Sequence, residues 1–473
     1  MEPNKKFNYR FLLRVSLVTA MGGLLFGYDW VVIGGAKPFY EKFFDIAHSP
    51  SLQGWAMSSA LIGSLLGAIV SGILSDRYGR KKLLILAAIL FMASALGTGA
   101  VDNFTPFILF RILGGIGIGM ASTLSPMYIA EIAPGKVRGR FVSINQLTIV
   151  LGILAAQIIN WQIAEPVATT ATATDILNSW NGQMGWRWMF WVELIPAGFF
   201  FLFMFTVPES PRWLATNGKT DKTLSILSKI GGEKYAKEEV QKIKETLGED
   251  SKSDFKQLLD PGIKKVLLIG IVIAAFQQWC GINVIFNYAD EIFTAAGYGV
   301  SDILFNIVIT GSVNLIFTFV AIFTVDKLGR RALMLTGSAG LAGIYAFMGA
   351  AYYFGVTGMP MLILVILAIA SYAMSLAPVT WVVLSEIFPN RIRGAAMAVA
   401  TVALWIASFI LTYTFPLLNS ALGASGTFWL YGVISVFGFI FIYKKLPETK
   451  GKSLEEIEEE IIGLKSQKKK NTL

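Results

Sequence analysis

QQWCGINVIFNY, residues 277–288, lies inside an otherwise apolar run from about Val266 to Phe293. It carries four amides, Gln277, Gln278, Asn283 and Asn287, through a segment otherwise suited to hydrocarbon. Lipid offers such groups no partner, so they face protein, water or a ligand. On a helix, Gln277, Asn283 and Asn287 share a broad sector, with Gln278 beside it. An amide donates and accepts at once, which suits it to reading hydroxyls. The stretch reads as a membrane helix lining a path for a polyhydroxylated solute. Amide bonding between helices is the other reading.

The rest of the chain agrees with a membrane setting. Its 473 residues are 54% hydrophobic and only 15% charged, where a soluble protein carries about 25% charged residues. Mean hydropathy is +0.60. Apolar runs of the roughly 20 residues a bilayer demands are expected near 11–36, 52–75, 82–101, 104–130, 139–162 and 187–207. A second set follows near 263–296, 302–325, 331–354, 360–388, 394–416 and 424–445. The expected fold is therefore all-α, with twelve spans in two six-helix bundles. The domain boundaries expected are 1–207, a helical linker over 208–262, 263–446, and a tail over 447–473.

The net charge of +9 does not point to nucleic acid, because the basic residues cluster in loops beside spans. They occupy alternate loops: Arg77, Arg80, Lys81 and Lys82; Lys136, Arg138 and Arg140; Arg330 and Arg331; Arg391 and Arg393. The positive-inside rule then places both termini in the cytoplasm of a multi-pass cell-membrane protein. The first apolar run is long and lacks a small-residue cleavage site, so it is expected to be a retained span. In the linker, Leu224, Leu227, Ile230, Val240 and Ile243 are spaced as in short amphipathic helices. Ser453 and Glu456 resemble a capped helix start, and disorder is expected over 465–473. One cysteine, Cys280, and one histidine, His48, leave no disulfide within the chain and no metal cluster.

An internal repeat is visible. Glu131-Ile-Ala-Pro-Gly-Lys-Val-Arg138-Gly139 returns as Glu386-Ile-Phe-Pro-Asn-Arg-Ile-Arg393-Gly394. Asp76-Arg77-Tyr78-Gly79-Arg80-Lys81 returns as Asp326-Lys327-Leu328-Gly329-Arg330-Arg331. Pro208-Glu209-Ser210-Pro211-Arg212 has an echo in Pro447-Glu448-Thr449-Lys450. Two parallel six-helix repeats suggest alternating access about a central site.

These motifs, with the Arg111–Gly119 run and the QQWCGIN stretch, resemble the sugar porter family of the major facilitator superfamily over nearly the whole chain. Bacterial proton–sugar symporters of the xylose type and facilitative glucose transporters are the members it is most similar to in flavour. The resemblance implies sugar contacts at Gln146, Gln277, Gln278, Asn283, Asn314 and Trp381. Trp405 is a further candidate contact, with interfacial anchoring as the other reading, and Phe26 and Tyr288 are read as aromatic walls or gates, with core packing as the other reading. Pro378, three residues before Trp381, is expected to break or kink its span. Leu404, Asn287 and Ala377 depart from residues common in the family, so the particular sugar does not follow from the resemblance.

Asp29 and Arg111 are the charges expected to meet within the bilayer, since buried charges pair. Protonation of Asp29 would release Arg111 and so couple a proton to the conformational equilibrium; a static salt bridge is the other reading. Glu193 is a second candidate proton carrier. Asp76, Arg80, Glu131, Arg138, Glu209 and Arg212 in one half, and Asp326, Arg330, Glu386 and Arg393 in the other, are expected to form ion-paired latches between the halves. The resemblance implies that these favour an outward-facing state. Gly72, Gly114, Gly115, Gly117 and Gly119 are expected to let helices approach closely, and the run containing them is not a nucleotide loop, because no strand precedes it.

The function expected is proton-coupled symport of a pentose or hexose, by a chain acting as a monomer on sugar and protons. An uncoupled uniporter, a polyol or inositol carrier and a membrane sugar sensor are the alternatives. No nucleophile–base set, phosphate loop or metal ligand set is present in the sequence, so neither an enzyme nor a cofactor is expected.

Overall fold

The computed structural model describes residues 7–168, 171–249, 258, 260–389 and 392–450, with backbone alone at 244–249, 261 and 326. Among them every regular element is helical. The first five long helices are α1 (Tyr9–Phe43), α2 (Pro50–Tyr78), α3 (Arg80–Ala100), α4 (Phe104–Ile132) and α5 (Arg138–Ile163). A short helix α6 (Ala173–Asn178) leads through a π turn (Asn181–Gly185) into α7 (Trp186–Trp191) and α8 (Leu194–Met204). The linker forms α9 (Pro211–Thr216) and α10 (Thr220–Glu249), the latter turning at Gly232 with φ 83°. Next come α11 (Pro261–Trp279), α12 (Ile282–Asn287), α13 (Ala289–Ala295), α14 (Val300–Leu328) and α15 (Arg330–Tyr353). The last are α16 (Met359–Ala373), α17 (Leu376–Ile387) and α18 (Arg393–Lys445).

Eleven helical stretches among the described residues are long and apolar enough to cross a bilayer. The last, α18, has 53 residues, or about 80 Å if straight, more than twice a hydrocarbon core. It turns sharply at Gly423, where φ is 69°, and so supplies two spans. The expected number of twelve is reached.

Three spans are broken, of which only the tenth is expected to be from the sequence. The seventh divides at Gly281, whose φ of 85° places it in the left-handed region, with a Cβ there only 2.8 Å from the Tyr431 ring. The sixth breaks at Val192–Glu193, because Pro196 has no N–H for the Val192 carbonyl. The tenth breaks at Met374–Ser375, one turn before Pro378. Met374 carries the carbonyl that Pro378 fails to bond, so the break expected from this proline falls on its N-terminal side. The helix start at Ser453 and the disorder at 465–473 lie outside the described residues.

The chain divides into two compact units. One holds Met1–Asp45, Ser59–Pro166 and Ala171–Ser251; the other holds Ile46–Ser58, Val167–Thr170 and Lys252–Leu473. These bounds differ from the expected ones by joining residues 208–251 of the linker to the first unit and the start of α2 to the second. The linker belongs there through Asn8, whose N–H donates to Ile230 O at 2.8 Å, and Phe7, whose ring lies 5.4 Å from Tyr235. Residues 46–58 belong with the second unit because Gly54 lets the Tyr413 carbonyl against its Cα.

In the first unit the helices touch backbone to backbone. A Cβ at Gly27 of α1 would strike the Ile149 carbonyl of α5, and one at Gly152 of α5 would strike Leu24 of α1. Thr148 Oγ1 then donates to Ala20 O at 2.8 Å, and Asn160 Nδ2 to Val32 O at 3.0 Å. Gly115 and Gly119 give α4 the same intimacy with Ala60 and Ser64 of α2. Packing of this kind replaces the hydrophobic drive that lipid does not provide. Gly72, grouped with these in the sequence reading, has nothing within 4 Å of a Cβ and takes no part.

Candidate functional site

The first unit carries a buried charge cluster. Arg111 Nη1 of α4 donates to Asp29 Oδ1 of α1, and Arg111 Nη2 to the Asp29 backbone carbonyl at 3.2 Å. Both side chains are at most 2% exposed. Gly114, one turn after Arg111, leaves room for Asp29: a Cβ there would stand 2.7 Å from Oδ2. The Arg111 guanidinium also lies 5.6 Å from the centre of the Phe190 ring. Glu193 is buried at the α7–α8 break, within electrostatic reach of Asp29 and Arg111. Its Oε1 and Asp29 Oδ2 have no hydrogen-bond partner. Tyr28, beside Asp29, is tied to the same break through its hydroxyl, which donates to Met189 O at 3.0 Å.

Two carboxylates thus share one guanidinium away from water. With both ionised the cluster would hold a net negative charge, which costs several kcal/mol in such surroundings. One bound proton neutralises it. The unpartnered carboxylate oxygens are the atoms with capacity to take that proton.

The second unit carries the amide array. Asn283 Nδ2 donates to Gln278 Oε1, and Gln278 Nε2 to Gln277 Oε1 at 3.0 Å. The turn at Gly281 lets α11 and α12 present these three amides as one chain although the helix is interrupted. Asn287 is also buried, with Oδ1 unpartnered. On α14, Asn306, Thr310, Asn314 and Thr318 recur every four residues and are all buried, so Asn314 belongs to a polar stripe on one face. Trp381 on α17 is 37% exposed and Trp405 on α18 is buried. Tyr288 is part of the second unit's core, its hydroxyl donating to Thr412 O at 2.6 Å.

On α5 of the first unit, Gln146 is half-buried. Gln157, which the sequence reading passed over, is buried with neither Oε1 nor Nε2 bonded. An unbonded amide is costly inside a bilayer and calls for a water, a protein group or a ligand. Gln157 stands about 28 Å and Gln146 about 12 Å from the Arg138 end of a helix about 39 Å long, on either side of its middle. Phe26 meets Trp30 edge to face at 5.8 Å and is half-buried.

The charges at the inner ends repeat as the sequence does. Arg80 pairs with Glu131 at 2.9 Å and with Asp76 at 3.3 Å, and Ser210 Oγ donates to Glu131. Glu209 accepts the backbone N–H groups of Arg80 and Lys81. In the second unit Arg330 pairs with Glu386 at 3.2 Å, and Glu448 accepts the N–H groups of Arg330 and Arg331. Arg393 donates to Phe388 O at 3.2 Å, while Arg138 and Arg212 are exposed. Expected as latches between halves, these pairs instead tie neighbouring helices within one unit, because the repeated motif carries both partners. Asp326 is placed by its backbone on α14. Among the described residues no group of three or more His, Cys, Asp or Glu side chains is arranged for a metal.

A family model described as sugar (and other) transporter matches residues 15–461. The arabinose–proton symporter of Bacillus subtilis is 41% identical over 463 residues, covering 97% of each chain. The D-xylose–proton symporter of Escherichia coli is 41% identical over 486 residues, covering 96% of each. An inward-open structure of the E. coli xylose transporter XylE matches with a TM-score of 0.83 at 38% identity, covering 94% of this chain and 99% of that one.

Proposed function

The chain belongs to the sugar transporter family and has the major facilitator fold, and we propose that it carries a monosaccharide, pentose or hexose, together with a proton by alternating access. It is a multi-pass membrane protein and a transporter rather than an enzyme. Pentose–proton symport in relatives this similar supports the reading. The observation on which it rests is the buried trio of Asp29, Arg111 and Glu193, whose charge balance calls for one proton.

Asp29 is the proton acceptor. While it is ionised it holds Arg111 and Glu193 keeps the cluster's proton; a proton taken up by Asp29 releases the guanidinium toward Glu193, which gives up its own, and the ion pair that braces α1 against α4 is gone. A proton therefore has differential affinity for two arrangements of these helices, which is what coupling requires. The sugar is read by Gln277, Gln278, Asn283, Asn287 and Asn314 in the second unit and by Gln157 in the first, with Trp381 covering its C–H face. Both termini face the cytoplasm, and the chain works as a monomer.

The test is purified protein in liposomes, offered labelled pentoses, hexoses and inositol with and without an inward proton gradient. Gradient-driven accumulation of one sugar is expected. Equilibration regardless of the gradient would leave a uniporter, and uptake of inositol alone would move the substrate to polyols.

A further inference from the structure

Where the linker meets α3 and α8, the first unit encloses a cavity of about 770 Å³. Its lining is of two kinds. Lys81, Lys82, Lys219 and Lys222 bring positive charge, while Phe205 and Trp213 bring apolar surface. Two carboxylates also line it, and of the lysine side chains Glu209 acts on Lys81. Glu209 is occupied by the backbone N–H groups of Arg80, Lys81 and Ser210. Asp221 lies in the first turn of α10, where it complements the helix dipole. Lys81 donates to Phe205 O at 3.0 Å, and the Lys219 ammonium lies 4.9 Å over the Trp213 ring. Lys82 and Lys222 are exposed, and no carboxylate pairs with either among the described residues.

The cavity also continues the face turned to lipid. Phe205 is 56% exposed, and Leu202 and Phe203 before it on α8 are exposed as well. On α3, Leu86 and Ile89 are exposed beyond the cavity-lining Ile85. An apolar strip thus runs from the depth of the bilayer to a mouth ringed by lysines, at the end of the spans where basic loops collect. A soluble anion would use only the lysines. A phosphate that carries acyl chains uses both surfaces.

We propose that this cavity seats the phosphate headgroup of an anionic phospholipid, with its acyl chains along α3 and α8. Lys82 and Lys222 hold the phosphate, and Phe205 and Ile85 cover the start of the chains. Because Lys222 is on α10 and Lys82 on α3, the lipid fastens the linker to the bundle. The proposal rests on the membrane setting and is independent of which solute is carried.

The full-length protein in neutral detergent is titrated with phosphatidylglycerol or with phosphatidylcholine of the same acyl chains. Binding is read by native mass spectrometry and by thermal unfolding. Phosphatidylglycerol is expected to bind at least about tenfold more tightly and to raise the unfolding temperature more. The double variant Lys82→Gln, Lys222→Gln is expected to lose about fivefold per lysine removed, while its sugar-induced thermal shift stays unchanged. Equal binding of the two lipids, or an unchanged lipid preference in the double variant, overturns the proposal. So does displacement of phosphatidylglycerol by an equal concentration of glycerol 3-phosphate, which would mark a site for soluble anions. Should the double variant not fold, the wild type decides: the preference must shrink as salt rises, and indifference to salt overturns the proposal.

Discussion

Asp29 and Arg111, 82 residues apart in the chain, close a buried ion pair between α1 and α4 while Glu193 waits nearby with a carboxylate oxygen unpartnered. A pair alone would be structural glue. A third, like-charged partner gives the guanidinium two alternative carboxylates, which is the basis of the switch proposed above.

Asp29→Asn is therefore expected to separate coupling from passage. With one proton per sugar and a gradient of one pH unit, the native protein in liposomes accumulates sugar up to about tenfold, since each unit is worth about 1.4 kcal/mol. The variant should bring inside and outside concentrations level and go no further, while exchange of labelled for unlabelled sugar continues. Accumulation that survives in Asp29→Asn would falsify its role as the proton acceptor.

Gln157 and Gln146 offer a comparison on one helix. If Gln157 reads a sugar hydroxyl, Gln157→Leu removes a hydrogen bond worth about 0.5–1.5 kcal/mol and should raise the sugar Kd up to about tenfold. Gln146→Leu, whose side chain is only half-buried, should change it less than twofold. Isothermal titration on detergent-solubilised protein gives both numbers, and the reverse order would return the role to Gln146.

The twelve spans were legible because hydrocarbon admits so few solutions: runs of apolar residues, basic loops between them and a duplicated motif left little choice. Asp29 and Arg111 were legible for the same reason, as charges that must find each other. What the sequence hid was local. The break at Val192–Glu193 falls one turn before Pro196, where the Val192 carbonyl turns to the Ile195 N–H instead. Gly281 breaks its helix because of Tyr431, a neighbour 150 residues later. Gln157 was missed because its meaning lies in having no partner, and partners are a property of packing. Of the inner-end arginines, Arg80 and Arg330 form ion pairs, but pairing within a unit or between units depends on geometry that a motif does not carry.

The contact of α1 with α5 predicts which glycines are irreplaceable. Gly152→Val would drive a side chain into the Leu24 carbonyl, and backbone does not yield as a flexible side chain does. Overpacking of this sort costs about 1–3 kcal/mol, so a lower unfolding temperature and reduced yield in detergent are expected. Gly72→Val, with open space around its Cβ, is expected to behave as the native protein. Equal tolerance at both positions would mean that α1 and α5 are not in backbone contact.

Glu448 predicts a pH dependence. It lies just beyond α18 and caps α15: Oε1 accepts from Arg330 N at 2.9 Å and Lys450 N at 3.0 Å, and Oε2 from Arg331 N at 3.1 Å. Burial pushes its carboxyl up, but the backbone N–H groups of Lys450, Arg330, Ala332 and Arg331 together outweigh it and hold it below the usual carboxylate range. These bonds, and the positive end of the α15 dipole, favour the ionised form. A folded-state pKa below the unfolded value of about 4.3 makes the contribution full above that value and lost as pH falls through the folded one. Glu448→Gln keeps an acceptor but loses the charge, so its unfolding temperature should lie about 2–4 °C below the native one at pH 7. Water reaches part of this carboxylate, which keeps the effect modest. As pH falls through the lowered folded pKa the gap should narrow, because the native side chain then becomes neutral too. A gap that stays constant from pH 7 to pH 3.5 would show that the side chain acts through its shape and not through its charge.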